Sequence, residues 1–87
     1  PPHARSILLK SNPDETARVF AGLQSSIREG RIPSDCRIYN SDKGVLSMIV
    51  PLKNSNKVLS FIYEYQKRRS INGKELLKLR VDPYLLG

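Results

Sequence analysis

Both ends of one helix are written between Asn12 and Gly30. Asn12 can cap with its side chain, Pro13 suits the first helical position, and Glu15 stands three residues after the cap as in a capping box. Asp14 and Glu15 also complement the positive end of the helix dipole. Ala17, Phe20, Leu23, Gln24 and Ile27 recur at helical spacing and predict a mainly apolar face, which Gly30 terminates. A helix over 13–29 makes the chain on either side of it separate elements.

Before it, "RSILLK" predicts a strand from Arg5 to Ser11. After it, "SDCRIYN" and "GVLSMIVPL" flank the turn formers "SDKG" and predict a β-hairpin. Within the second of these strands Leu46, Met48 and Val50 face one way, and Val45, Ser47 and Ile49 the other. Both faces are apolar enough for one to cover a core and the other to meet a partner. Pro51 closes the strand, "KNSN" offers caps, and "KVLSFIYEYQKRRS" predicts a second amphipathic helix with Val58, Leu59, Ile62 and Tyr65 or Gln66 inward. "INGKE" is a break, and "LLKLRVDPY" alternates as a last strand that Pro83 ends, with a helical start at Lys74 to Leu77 as the alternative.

Strand, helix, strand, strand, helix, strand is the order of an α+β, ferredoxin-like βαββαβ sandwich, with two helices on one face of a four-stranded antiparallel sheet. At 87 residues the chain holds a single domain with one modest core. It opens on "PPHARSILLK" without an initiator Met, which reads as a domain excised from a longer polypeptide. The longest uncharged apolar stretch, "GVLSMIVPL", falls far short of the roughly 20 residues a membrane span needs.

The predicted order is also that of the RNA-recognition motif, and the stretch Lys43 to Val50 resembles the start of that motif's signature on strand three. Lys43 and Gly44 match it, while Val45, Ser47 and Val50 stand where its base-stacking aromatics would be. The resemblance therefore implies the architecture and not the stacking sheet.

Charge supplies the functional expectation. The net charge of +7 divides unevenly: seven basic against five acidic residues over 1–50 give +2, and eight against three over 51–87 give +5. Lys67, Arg68, Arg69, Lys74, Lys78 and Arg80 fall within 14 positions, a density that attracts polyanions. Cations at a helix end also complement its dipole and cover apolar surface, which accounts for part of the run without any ligand. The sequence predicts a non-enzymatic nucleic-acid-binding module, leaning to RNA, that uses these six residues, with Tyr63 or Tyr65 available to stack. A second expectation is a protein-interaction or self-associating domain using Leu46, Met48 and Val50, or Val45 and Ile49. A third is docking to anionic lipid headgroups through the same cations.

Catalysis is not expected. There is no GxxxxGK[ST], GxGxxG or HExxH motif, and no cofactor or metal is called for. Cys36, the only cysteine, can form no internal disulfide, and His3 near the terminus is its only prospective base. It reads as a half-buried strand residue of an intracellular protein, in cytoplasm or nucleus.

Overall fold

The computed structural model describes residues 3–68 and, as backbone only, 78–86. It is an α+β molecule with two helices and an antiparallel sheet. Strands β1 (Ala4–Lys10), β2 (Arg37–Asn40) and β3 (Val45–Pro51) and helices α1 (Pro13–Arg28) and α2 (Ser55–Arg68) make up the part described with side chains. β3 is central, pairing with β1 through Ile7↔Met48 and with β2 through Ile38↔Met48. The backbone of β4 (Lys78–Leu86) runs antiparallel along the other side of β1.

α1 begins as its sequence dictates. Asn12 Oδ1 accepts from the Glu15 amide at 2.8 Å and Pro13 occupies the first turn. Its end is a Schellman motif. The Arg31 amide donates to the Ser26 carbonyl at 2.9 Å and the Gly30 amide to that of Ile27 at 3.1 Å, with Gly30 at φ +78.

The face that α1 buries is rotated from the expected one. Thr16, Val19, Leu23 and Ser26 are buried, Phe20 and Ile27 pack at the edge of the core, and Ala17 is exposed. Two polar residues can lie inward because the helix satisfies them: Thr16 Oγ1 donates to the Pro13 carbonyl and Ser26 Oγ to that of Gly22.

The core is built by one face of the sheet. Ile7 and Leu9 of β1, Ile38 of β2 and Leu46, Met48 and Val50 of β3 meet Val19, Leu23, Val58 and Ile62 of the helices. Leu46, Met48 and Val50, expected as an interaction surface, are fully buried, so that expectation is corrected for these three residues. Both helices contact β3, and covering its more apolar face removes the larger area from water. The open face of β3 is Val45, Ser47 and Ile49, each only partly covered.

Other boundaries shift for local reasons. Leu52–Asn54 form a 3₁₀ turn, so α2 begins at Ser55 and ends at Arg68. Cys36 is not in a strand but precedes β2, buried in the core with its amide donating to the Pro33 carbonyl. β4 does not stop at Pro83. The strand runs on to Leu86, and its pairing with β1 slips between Arg5 and Ile7, so that Pro83 falls in the irregular stretch of an outer strand where no ladder donor is demanded of it. The "INGKE" break and the alternative helical start at Lys74 to Leu77 lie outside the described residues.

Candidate functional site

The predicted cationic run occupies several places. Lys67 and Arg68 form the last turn of α2, and both are exposed. Neither is ion-paired among the described residues, where the only salt bridges are Arg18–Glu15 and Arg31–Glu29. Lys78 and Arg80 lie on β4, opposite Lys10 and Leu8 of β1 in the Cα register. Arg69 and Lys74 lie outside the described residues.

Of the residues that line a groove with Arg68, sequence reasoning singled out only Tyr65. A groove of about 610 Å³ opens between the end of α1 and the outer side of α2. Its α2 wall is Ser60, Phe61, Glu64, Tyr65 and Arg68, at the three- and four-residue spacing that stacks side chains on one helix face. Its other wall is Ser26 and Arg31, which the Schellman turn swings past the end of α1.

The Phe61 and Tyr65 rings lie with centroids 6.3 Å apart and planes inclined by 27°. Tyr65 also closes against α1: a Cβ at Gly22 would strike its hydroxyl, so the small residue at 22 is what admits the ring. Arg31 Nε meets Glu29 Oε2 at 3.3 Å, but both side chains are well exposed, and such a surface pair leaves the guanidinium available to a stronger anion. Of the two tyrosines expected to stack, Tyr63 is exposed on α2 and Tyr65 lines the groove. The only sequence signal for this site was the i, i+4 spacing of Phe61 and Tyr65, which reads equally as packing against the core.

The open face of the sheet is the second feature. On β1, β3 and β2 it carries Ser6, Leu8 and Lys10, then Val45, Ser47 and Ile49, then Arg37 and Tyr39, with no carboxylate among these residues. Tyr39 is 57% exposed, and the alternation of the short "RIYN" strand, with Ile38 inward, is the signal that could have found it. The positions matched to the RNA-recognition signature divide between the two sides: Val45 and Ser47 open, Val50 buried.

Burial first, and the nearby Asp35 carboxylate second, push the Cys36 thiol up from 9.0 to about 11, so it is protonated at neutral pH. No cluster of three or more potential metal ligands occurs among the described residues. No described helix is long and apolar enough to cross a membrane. No family model matches this chain, and no curated protein or solved structure matches it either.

Proposed function

We propose that this chain is a ferredoxin-like βαββαβ sandwich acting as a non-enzymatic nucleic-acid-binding module, with a preference for RNA. The fold assignment is supported by the element order and by a strand order of β2-β3-β1-β4, with β4 beside β1. The functional reading is carried by one observation: Lys67 and Arg68 stand exposed and free of described carboxylate partners at the end of α2, at the start of a segment that continues with Arg69, Lys74, Lys78 and Arg80. Cations left unneutralised by the protein are available to phosphates, and each phosphate contact releases counterions. Tyr63 and Tyr65 on the same helix offer rings on which unpaired bases can stack, so contact with a flexible single strand is the better fit.

The test is a titration of labelled single- and double-stranded RNA and DNA at low and moderate salt, with and without the Arg68→Glu, Arg69→Glu double substitution. Binding should weaken with salt, and the double substitution should weaken it further and reduce the salt slope by about 2, roughly one per lost phosphate contact. Absence of binding at low salt would end this reading.

A second reading is supported by the open sheet face. Tyr39, with Leu8, Val45 and Ile49 only partly covered, presents apolar surface of the kind used for protein association, including pairing with a second copy. Sedimentation at rising concentration separates the two readings. A salt-insensitive dimer that Tyr39→Lys abolishes would favour association.

A further inference from the structure

The groove between α1 and α2 brings together three chemistries that the cationic run alone does not supply. Phe61 and Tyr65 give an aromatic wall, Arg31 and Arg68 give guanidinium groups from different elements, and Glu64 with Ser60 gives hydrogen-bonding groups between them. We propose that this groove seats a single nucleotide, its base against the Phe61 and Tyr65 rings and its phosphate held by Arg31 and Arg68. The inference rests on the nucleic-acid reading above and adds to it a place where one base is held.

Size and charge fit. A volume of about 610 Å³ falls in the roughly 300–1,000 Å³ range of small-molecule sites. Planar guanidinium groups bind phosphate oxygens in pairs, and every base has a π-face to lay on an aromatic wall.

Glu64 decides between ligands. It stands one helical turn before Arg68 without an ion pair to it, and so keeps a full acceptor in the groove. A carboxylate there repels bare phosphate, yet it can accept from a base amino group or a ribose hydroxyl. The site thus favours a nucleotide over inorganic phosphate, and a sugar bearing a 2′-hydroxyl over one without it.

Two sources share this chemistry: a free mononucleotide and one unit of a strand. The experiment follows backbone amide shifts of the intact chain on adding adenosine 5′-monophosphate, inorganic phosphate at equal ionic strength, or a short single-stranded RNA. The inference expects shifts within 26–31 and 60–68 from the nucleotide or the RNA, and none there from phosphate. Phe61→Leu, which keeps an apolar side chain against the core, should weaken RNA binding about tenfold and leave the salt slope unchanged. Phe61→Tyr, which keeps an aromatic face, should bind more tightly than Phe61→Leu, and thermal unfolding checks that each variant is folded.

The outcomes separate the two claims. RNA that binds salt-dependently, with the groove amides unmoved by RNA and mononucleotide alike and the Phe61→Leu affinity unchanged, overturns the groove and leaves the nucleic-acid reading standing. Groove shifts from the mononucleotide but not from RNA retain the site as one for free nucleotides and remove only its part in strand binding, which the salt titration tests separately. Equal shifts from phosphate alone overturn the base contact.

Discussion

Cys36 shows how burial sets chemistry at a single residue. Its side chain is 2% exposed and its thiol is raised to about 11. The folded protein should therefore react with iodoacetamide at pH 8 far more slowly than the same chain in denaturant, which mass spectrometry would measure. Because the folded value lies above the ordinary 9.0, the stability this residue contributes is fully present below pH 9 and is lost as pH rises through 11. Comparing the native chain with Cys36→Ala by denaturant melts across that window isolates the effect, and a parallel decline in both would refute it. Gly44 is constrained differently. At φ +83 it lies in the left-handed region, and a Cβ there would collide with the Ser11 carbonyl oxygen, a backbone atom held close because the Ser11 amide donates to the Gly44 carbonyl at 2.9 Å. Gly44→Ala should cost about 2–4 kcal/mol, combining a left-handed penalty with overpacking. Neither the depth of Cys36 nor the approach of Ser11 to Gly44 can be read from neighbours in the chain, since both are set by elements distant in sequence.

At the scale of the element, α1 was the most legible because its signals are local. Asn12 caps and Gly30 terminates where the residue types require. Asn12→Ala should destabilise the domain by about 1 kcal/mol, and Asn12→Asp should restore it, measured by thermal unfolding. Which face α1 buries was less legible, because a side-chain hydroxyl that bonds back to the helix, as in Thr16 and Ser26, no longer opposes burial. β3 poses the same question more sharply. Its two faces are nearly equal in composition, yet Met48 is fully buried and Ile49 is partly open. Met48→Ala should cost about 2–5 kcal/mol and Ile49→Ala much less, a contrast that denaturant melts would reveal. Equal costs would mean that the open face is covered.

Across the whole molecule, a net charge of +7 acts on stability and on binding with opposite sign. Raising salt from about 20 to 200 mM screens self-repulsion and should raise the melting temperature, while the same change should weaken nucleic-acid binding. A melting temperature that falls with salt would show that ion pairing, and not repulsion, dominates. What the sequence by itself determined is the succession of elements and the excess of cations toward the C-terminus, because caps, turn residues, periodicity and net charge are properties of neighbouring residues. Only the tertiary structure decided which face of β3 the helices cover, that Tyr39 and Arg37 look outward from the sheet, and that Arg31 at the end of α1 meets Phe61, Tyr65 and Arg68 of α2 around one groove. Those outcomes depend on the area buried when helices separated along the chain close on a common sheet, and no local pattern carries that comparison.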